Sequence, residues 1–587
     1  MTPRALLLAV CAATLLDFTP LLRAQETAEL VSDRAVTSQR GAVACVERRA
    51  AQVGARVLAD GGNAVDAAVA VAFALAVTYP AAGNLGGGGF MLVALADGRS
   101  AAIDYRETAP AAADARLFLD AKGRIDRSKS DSGHFTVGVP GTVAGLEAAH
   151  RRFGRRPWAE LVEPARRLAA EGFEVDAVLG DGLAKNVEAF RRFPASAACF
   201  LHADGRPYAV GERLVQADLA NSLRWIEEGG AQAFYEGPIA SLIAAEMARA
   251  GAPMVARDLA AYRPVERAIL RAHYRDFELL LMPPPSSGGV ALAEMLGVLE
   301  PFELAKGGAF GADARHRFAE AQRRAFADRA QFLGDPDATE VPLARLLSKE
   351  HFDELRATID PQHATPSDRL GPPLTGSEED STTHFSVVDA DGNAVANTYT
   401  IEDWYGSKLV APGTGFLLND ELHDFNLKPG LTDRAGHVGT APNVVRPGRR
   451  PLSSMTPCIV QRGGRTVLVT GSPGGRSIIN TVATVVLAVC EYGLPLEEAV
   501  ALPRQHHGWF PDVLRIEAGV DAATREELAR RGHVVEVVKE PQGDAHSIAC
   551  DPATGTVHAV ADRRIDGWAA APAPRPASAA TPASGDR

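Results

Sequence analysis

The chain has 587 residues and a formal net charge of −12, from 61 lysines and arginines against 73 aspartates and glutamates. Proteins that bind nucleic acid present a basic face, so this balance argues against that function. Hydrophobic residues make up 46% and charged residues 23% of the chain, a composition typical of a folded globular protein rather than a disordered one.

The N-terminus has the pattern of a secretory signal peptide. Arg4 supplies a positive charge ahead of an apolar run at 5–16, and a cleavage position follows near Ala24. Asp17 and Pro20 interrupt the apolar stretch, which makes it too short to span a bilayer. The alternative is a disordered N-terminal tail. We expect residues 1–24 to be a signal peptide and the protein to be exported, either to a periplasm or to the medium.

Two helices are the first elements predicted after this segment. One covers about 50–59 and ends at a glycine pair, and Asn63 caps a second helix that is apolar on nearly every side and should be buried. Four glycines at 86–89 then lead into a strand at 91–94. A dinucleotide loop would follow a strand and have the spacing G-x-G-x-x-G, so no nucleotide site is expected here.

Residues 140–360 are predicted to be mainly helical, because Ala, Leu, Arg and Glu recur at helical spacing. A proline-rich turn at 283–289 precedes a helix at 290–299. Residues 361–381 contain almost no large apolar side chain and cannot bury enough surface to hold themselves in a core. We therefore expect an exposed, flexible linker inside an otherwise compact chain.

The pattern changes to strands directly after this linker. Segments 383–388 and 394–400 alternate in hydrophobicity on either side of Asp391-Gly392-Asn393, which predicts a β-hairpin. The Ala/Pro/Ser-rich residues 570–587 are predicted to be disordered. The remaining predicted elements are strands at 416–418, 458–460 and 466–469, and helices at 477–492 and 522–531.

Six cysteines lie far apart in the sequence, with no C-x-x-C motif and no histidine pair at zinc spacing. Loss of Cys11 with a signal peptide leaves five, so free thiols are expected rather than a complete disulfide framework. The motif H-E-x-x-H is also absent from the sequence. We expect the protein to use no metal ion and no organic cofactor.

The junction between Ser381 and Thr382 is the first place where chemistry is indicated. A threonine hydroxyl is a weak nucleophile until a base takes its proton, and the α-amine of an N-terminal threonine, with a pKa of about 7.7–8.0, can be that base. Thr382 gains such an amine only if the chain is cut directly before it. Most threonines at the start of a strand are structural, and on this observation alone that alternative stays open.

A second indication is the segment Gly471–Gly475, which follows a predicted strand and precedes a predicted helix. Adjacent glycine N–H groups at a helix N-terminus form a pair of donors suited to an oxyanion. The alternative is an ordinary turn between a strand and a helix. A G-x-S-x-G motif is absent, so the serine nucleophile of an α/β-hydrolase is disfavoured.

Together, these segments resemble the γ-glutamyltranspeptidases, also called glutathione hydrolases. The resemblance covers about residues 35–568 and consists of several blocks in the same order. The blocks are Gly61–Ala68, Asn84–Phe90, Asp104–Glu107, Pro283–Gly289, Thr382–Asp389 with Asp391–Val395, Gly415–Asn419, Arg450–Met455 and Gly471–Gly475.

The resemblance implies an α/β (α+β) fold, the αββα sandwich of the N-terminal nucleophile hydrolases. The precursor would cleave itself before Thr382 into a large subunit, 25–381 with the linker 361–381 at its end, and a small catalytic subunit, 382–569. The two subunits would remain together as a heterodimer. The substrates would be γ-glutamyl donors such as glutathione, with water, amino acids or dipeptides as acceptors.

The same resemblance assigns catalytic roles to four residues. Thr382 Oγ would attack the γ-glutamyl amide and form a γ-glutamyl-enzyme, with its own amine carrying the proton. Thr400 would supply a hydroxyl that hydrogen-bonds the nucleophile. The N–H groups of Gly474 and Gly475 would stabilise the tetrahedral oxyanion.

Substrate-binding roles follow from the resemblance as well. Arg106 and Ser453-Ser454 would bind the α-carboxylate of the donor, since a carboxylate is matched by a planar cationic fork and by hydroxyl donors. Glu421 and Asp424 would accept hydrogen bonds from its α-ammonium. Without the resemblance, a structural ion pair near Glu107 would explain Arg106, and turn capping would explain the serines.

Two positions depart from the family pattern. Glu402 stands where many members have asparagine, and a carboxylate there would add a contact to the ammonium group or alter the choice of donor. Many bacterial members carry a lid tyrosine that closes over the nucleophile, and counting without gaps places Ala435 at that position. We therefore expect an incomplete lid and an open groove beside Thr382.

Two rival functions remain. A glutaryl or cephalosporin acylase of the same superfamily would share Thr382 but need no ammonium site, so Glu421 and Asp424 argue against it. An uncleaved, non-catalytic relative would act as a binding or scaffold protein, and the intact Thr382, Thr400 and glycine pair argue against that.

Overall fold

The computed structural model describes residues 29–371, 382–431 and 440–574. The predicted signal peptide, residues 372–381 of the segment before Thr382 and the lid position Ala435 lie outside the described residues, so the open groove stays a prediction. The described strands are β1 (Leu30–Asp33), β2 (Ala35–Ser38), β3 (Gly41–Cys45), β4 (Gly88–Ala94), β5 (Ser100–Asp104), β6 (Phe173–Glu174), β7 (Arg213–Leu214), β8 (Val265–Arg267), β9 (Leu270–Tyr274), β10 (Phe277–Leu281), β11 (Thr383–Asp389), β12 (Ala394–Thr400), β13 (Cys458–Arg462), β14 (Arg465–Thr470), β15 (Gln505–His506), β16 (Leu514–Glu517), β17 (Val535–Val538), β18 (His546–Asp551), β19 (Thr556–Ala561) and β20 (Trp568–Pro572).

The described helices are α1 (Arg48–Ala59), α2 (Ala64–Thr78), α3 (Arg127–Ser130), α4 (Thr142–Phe153), α5 (Trp158–Glu171), α6 (Ala177–Lys185), α7 (Val187–Arg191), α8 (Pro194–Phe200), α9 (Ala217–Tyr235), α10 (Pro238–Ala250), α11 (Ala256–Ala261), α12 (Gly288–Leu299), α13 (Ala312–Phe332), α14 (Leu343–Leu346), α15 (Lys349–Ala357), α16 (Ser477–Cys490), α17 (Leu496–Ala501) and α18 (Ala522–Arg530). None of the helices in the described ranges is long and apolar enough to cross a membrane.

Two large antiparallel sheets form the centre of the molecule. The first has eight strands in the order β1-β20-β3-β11-β12-β4-β5-β8, and the second has seven in the order β2-β19-β18-β14-β13-β10-β9. The predicted hairpin is β11 and β12, paired in register from Thr383 opposite Tyr399 to Val388 opposite Ala394. It lies in the middle of the eight-stranded sheet.

Alternation along the central strands places the sheets between two helical layers. In β4, Met91 and Val93 join a core with α1 and α2, whereas Phe90 and Leu92 join the core shared with the seven-stranded sheet. Successive side chains of a strand point to opposite faces, so one strand contributes to both cores. Helices α12, α13 and α16 pack on the second sheet within the shared core. The predicted αββα sandwich is confirmed.

Helix α2 shows why the first helical layer lies so close to its sheet. All of its residues are buried, as its apolar sequence predicted, and many of them are alanines. The side chain of Asn63 caps the helix by accepting hydrogen bonds from the N–H groups of Val65 and Asp66. Small side chains let the helix axis approach β11 and β12 closely.

Two expectations of disorder are wrong where the structure describes the residues. Ser367, in the predicted linker, is buried, and its hydroxyl donates to the Trp509 carbonyl at 2.6 Å. Residues 570–572, placed in the predicted tail, belong to β20 and pair with β1 and β3. In both places partners distant in sequence satisfy the backbone or the polar side chain, and local composition does not reveal them. The five described cysteines are free, as expected.

Candidate active site

The two hydroxyls assigned to the nucleophilic centre lie side by side. Thr382 immediately precedes β11 and Thr400 ends β12, so the antiparallel hairpin brings them together from 18 positions apart. The Thr382 hydroxyl donates to the Thr400 hydroxyl at 3.4 Å, and both side chains are buried. The backbone N–H of Glu402 donates to the Thr400 hydroxyl at 2.8 Å and fixes its position.

The glycine run at 86–89 supports this centre rather than a phosphate group. A Cβ on Gly87 would lie 2.0 Å from the Thr400 carbonyl oxygen, so only glycine allows the backbone to approach so closely. The Asn84 side chain donates to that same carbonyl at 2.9 Å and accepts from the Gly87 N–H at 3.0 Å. Asn84 therefore holds the end of β12 in place, a role that the sequence analysis missed.

The turn Gly471–Gly475 reaches the centre from the second sheet. It connects β14 to α16, as the sequence predicted, and Gly474 and Gly475 have φ values of +124° and +47°. Residues with a Cβ atom rarely adopt such φ values, and a Cβ on Gly474 would also lie 2.7 Å from Ser477 Oγ. The glycine pair is thus required by the backbone at the N-terminal end of α16.

Arg106 follows β5 and lies between two acidic side chains. Its guanidinium donates hydrogen bonds to the carboxylates of Glu421 and Asp424, and it also reaches the carbonyl oxygens of Pro451 and Leu452 at 3.3 and 3.2 Å. The sequence analysis assigned Arg106 to one end of the donor and the carboxylates to the other. The structure places the cation and the anions in direct contact.

Ser453 and Ser454 are both buried beside this charged group. The Ser453 carbonyl accepts from the N–H and the hydroxyl of Ser287, at 2.7 and 2.6 Å, so the proline-rich turn before α12 positions the pair. The guanidinium of Arg329, from α13, donates to the Ser454 hydroxyl at 2.9 Å and to the Ser287 hydroxyl at 2.8 Å. Arg329 is a second residue that the sequence analysis missed.

One pocket collects nine of the ten residues singled out from the sequence. Its volume is about 20 Å³, room for about one water molecule. Gly474, the tenth residue, lines the adjoining cavity. The pocket is lined by Arg106, Thr382, Thr400, Glu402, Glu421, Asp424, Ser453, Ser454, Met455, Gly475 and Ile478.

Comparison with known proteins decides the family. The family model of γ-glutamyltranspeptidase matches residues 50–572, most of the chain. The chain belongs to the γ-glutamyltranspeptidase family. It is 46% identical over 531 residues to a glutathione hydrolase proenzyme of Escherichia coli, covering 90% of this chain and 91% of that protein. A glutathione hydrolase proenzyme of Pseudomonas aeruginosa is 43% identical, covering 88% of this chain and 92% of that protein.

Solved structures and one further relative connect this family to acylases. A cephalosporin acylase from Bacillus halodurans superposes with a TM-score of 0.82 at 28% identity, covering 92% of this chain and 98% of that one. The γ-glutamyltranspeptidase of Helicobacter pylori gives a TM-score of 0.55 at 39% identity, covering 56% of this chain and 93% of that one. The acylase ACY 1 proenzyme of a Pseudomonas strain is 37% identical, covering 90% of this chain and 93% of that protein.

The pocket of this family member is strongly acidic. Burial, together with the neighbouring carboxylates of Asp403, Asp420, Asp424 and Glu421, holds the pKa of Glu402 well above its usual range. Burial likewise raises the pKa of Glu421, although the Arg106 guanidinium opposes this. Glu402 Oε2 is buried without a hydrogen-bond partner. A buried carboxylate in that state is stabilised by a proton or by a cation.

Two groups of described side chains have donor atoms close enough together to hold a metal ion, although the sequence motifs predicted no metal site. In each group the atoms lie within 4.8 Å of one another. One member of the first group, Glu402, lines the pocket, and the second group lies between α12, α13 and α15. The groups are Glu402, Asp403, Asp420 and His423, and Glu294, Asp328 and His351.

Proposed function

We propose that this member of the family is a self-processing γ-glutamyl hydrolase and transpeptidase with Thr382 as its N-terminal nucleophile. One observation carries the proposal: the Thr382 and Thr400 hydroxyls share a pocket with Arg106 and the carboxylates of Glu421 and Asp424. The α-carboxylate and α-ammonium of a γ-glutamyl donor are attached to the same carbon. A site for them therefore needs a cation and anions side by side, as this pocket has them.

Maturation comes first in the proposed sequence. Attack of the Thr382 hydroxyl on the carbonyl of Ser381 would convert that peptide bond to an ester, and water would then release the large subunit. The product is a small subunit that begins at Thr382 and carries a free α-amine. With a reference pKa of about 7.7–8.0, this amine is partly unprotonated at neutral pH and can act as a base.

Acylation then follows on the donor. The amine takes the proton of Thr382 Oγ as the oxygen attacks the γ-carbonyl carbon, and the N–H groups of Gly474 and Gly475 stabilise the resulting oxyanion. When the tetrahedral intermediate collapses, the bond from carbon to nitrogen breaks and the ammonium of Thr382 returns the proton to the leaving amine. The γ-glutamyl group is left as an ester on Thr382. Thr400 orients the attacking oxygen throughout.

Deacylation repeats the same proton transfers with a new nucleophile. Water, or the amine of an amino acid, attacks the ester carbonyl while the Thr382 amine accepts its proton. Collapse breaks the ester bond and returns the proton to Thr382 Oγ. The products are glutamate when water attacks and a new γ-glutamyl amide when an amine attacks.

Donor recognition requires the charged side chains to rearrange. The pocket holds about 20 Å³, far less than a γ-glutamyl group, and Arg106 is engaged by Glu421 and Asp424. We infer that the donor separates these ion pairs and inserts its own charges between them. The donor carboxylate then pairs with Arg106 in place of the acidic side chains. The donor ammonium pairs with those side chains in place of Arg106.

Localisation and subunits are part of the proposal. Residues 1–24 would be removed on export to a periplasm or the medium, leaving a large subunit of 25–381. Strand pairing supports a stable heterodimer, because β11 of the small subunit lies between β3 of the large subunit and β12. The acceptors would be amino acids or dipeptides in addition to water.

A glutaryl or cephalosporin acylase is the second candidate, since an acylase structure superposes over 92% of the chain. The matched pair γ-glutamyl-anilide and glutaryl-anilide separates the two functions, because the donors differ only in the α-ammonium group. We expect kcat/KM for the γ-glutamyl donor to be about 100-fold higher than for the glutaryl donor, because the glutaryl donor loses one or two charged hydrogen bonds. Equal or greater turnover of the glutaryl donor would establish the acylase instead.

A further inference from the structure

A cavity of about 680 Å³ adjoins the catalytic pocket at two points. Gly475 lines the pocket while Gly474 lines the cavity, and Glu402 lines the pocket while Trp404 lines the cavity. The turn proposed to hold the oxyanion thus separates a small charged pocket from a large space. The segments 402–404 and 474–475 therefore line both the pocket and the cavity, and both lie beside the proposed position of the reacting carbonyl group.

The reaction geometry determines which part of the donor faces this cavity. Arg106, Ser453 and Ser454 take the α-carboxylate end of the γ-glutamyl group in the proposed function, on which this inference rests. The carbonyl carbon must lie within about 3.5 Å of Thr382 Oγ, with its oxygen directed to the glycine N–H groups. The amide substituent then extends past Gly474 into the cavity.

An aromatic wall lines the cavity. Trp404 is 39% exposed, an unusual state for so large an apolar side chain, and its ring meets that of Tyr79 edge to face with centroids 6.2 Å apart. The surrounding surface is largely apolar, contributed by Ala81, Ala177, Val178, Pro473, Pro541 and Ile565.

The backbone around Trp404 is held firmly although its ring is exposed. The Tyr405 N–H donates to the Ala81 carbonyl at 2.9 Å, and the Tyr405 ring packs edge to face on Phe190. The Lys408 ammonium donates to the Trp404 carbonyl at 2.6 Å. A fixed, exposed aromatic ring is typical of a binding surface, because little conformational entropy is lost when a ligand covers it.

The charges of the cavity wall show which ligands it disfavours. Among the described lining residues, Lys185 is paired with Asp181 at 2.7 Å, and Arg564 is paired with Glu517 and Asp562. Glu540, which is exposed, adds a negative charge to the lining. Since both cations are already paired with acidic side chains, the wall adds little attraction for a carboxylate, and an amino acid or dipeptide gains no more there than an uncharged amine does.

We propose that this cavity is the subsite for the leaving group and for the acceptor, and that Trp404 makes it selective for aromatic amines. The donors that it favours are γ-glutamyl amides of aryl or arylalkyl amines. The ring of the amine packs against Trp404 and Tyr79, and the amide nitrogen remains beside Gly474. In transfer the same cavity holds the incoming aromatic amine.

The test compares two donors that share the γ-glutamyl group, γ-glutamyl-anilide and γ-glutamyl-methylamide. In Trp404→Ala, kcat/KM for the anilide should fall about tenfold, the range of one aromatic contact, and kcat/KM for the methylamide should stay within twofold. Trp404→Phe should restore most of the anilide activity. Val537→Ala, an exposed apolar position on β17 outside the cavity, should change neither. Equal losses on both donors, or none on the anilide, would overturn the proposal.

A binding measurement separates this inference from the proposed function. If wild-type protein cleaves neither donor, the proposed function fails, and saturation-transfer NMR with aniline still tests the cavity. Aniline signals should be detected with wild type and Trp404→Phe and be strongly reduced with Trp404→Ala. Undiminished aniline binding to a folded Trp404→Ala variant would overturn the subsite.

Discussion

The guanidinium of Arg329, on helix α13, donates a 2.9 Å hydrogen bond to the hydroxyl of Ser454, and α13 contributes none of the residues singled out from the sequence. Arg329 also binds the Ser287 hydroxyl, which in turn holds the Ser453 carbonyl. A buried cation behind two hydroxyls raises the positive potential where the donor α-carboxylate is proposed to bind. Arg329 is therefore a positioning residue for Ser454, which it contacts directly, and for Ser453, which it reaches through Ser287.

Replacing Arg329 with lysine tests this relationship. Lysine keeps the charge but cannot reach Ser454 and Ser287 together with a planar fork, so KM for the donor should rise about 5- to 30-fold while kcat changes little. Steady-state kinetics on the cleaved variant measure the split. Arg317→Lys, on the same helix but paired with Asp313, is the matched control and should behave as wild type. A fall in kcat with unchanged KM would contradict the positioning role.

Arg106→Lys should be processed normally yet bind the donor poorly. The variant keeps a cation between Glu421 and Asp424 but loses the two parallel hydrogen bonds that a guanidinium can donate to the α-carboxylate of the donor. We expect a loss of about 1.5–3 kcal/mol in donor affinity, the range of one charged hydrogen-bonded contact. Donor KM and product inhibition by glutamate measure it. Unchanged kinetics in a cleaved Arg106→Lys enzyme would place the carboxylate site elsewhere.

Donor binding should release protons from the acidic pocket. The pKa of Glu402 is raised because burial and neighbouring carboxylates disfavour its charged form, whereas a bound ammonium group favours that form and lowers the pKa. Binding therefore expels a proton, and affinity should rise with pH until the raised pKa of Glu402 is reached and be level above it.

Calorimetry of glutamate binding in buffers of different ionisation enthalpy counts these protons. Glu402→Gln should reduce the number released, whereas Glu498→Gln, at an exposed position on α17, should leave it unchanged. Proton uptake by the wild-type protein, or the same release from Glu402→Gln, would be inconsistent with an ammonium group beside Glu402.

Asn84→Ala should lower kcat more than it raises KM. Asn84 holds the Thr400 carbonyl and touches the glycine run, so its loss leaves that buried carbonyl short of a donor and loosens the end of β12. A cost of about 1–3 kcal/mol is expected for such a group, seen as slower acylation in single-turnover kinetics. Normal single-turnover rates in a folded variant would show that Thr400 needs no such support.

Local pattern in the sequence was sufficient for much of the scaffold. The alternation at 383–400 predicted the β11–β12 hairpin, and the apolar, alanine-rich run at 64–77 predicted the buried helix α2. The glycine pair at 474–475 was singled out as a pair of N–H donors between a strand and a helix, and the structure places it there, with both glycines at positive φ.

Contacts between segments that lie far apart in the sequence could not be predicted from it. The contact of Arg329 with Ser454 spans 125 positions and that of Asn84 with Thr400 spans 316, and no periodicity encodes either. The composition around Ser367 predicted an exposed segment. Its hydrogen-bond partners, the Trp509 carbonyl and the Asp512 carboxylate, lie far along the chain and could not be predicted. The cavity beside Trp404 likewise forms only when several segments of the fold meet.

The central claim is that Thr382 becomes an N-terminus and then carries the γ-glutamyl group. Mass spectrometry of the purified protein, quenched in acid during turnover of a γ-glutamyl donor, tests both parts in one measurement. Wild type should yield a small subunit beginning at Thr382, with one γ-glutamyl group on its first peptide, and Thr382→Ala should remain one chain without the adduct. Cleavage of Thr382→Ala into two chains, or an adduct on any other residue, would contradict the account.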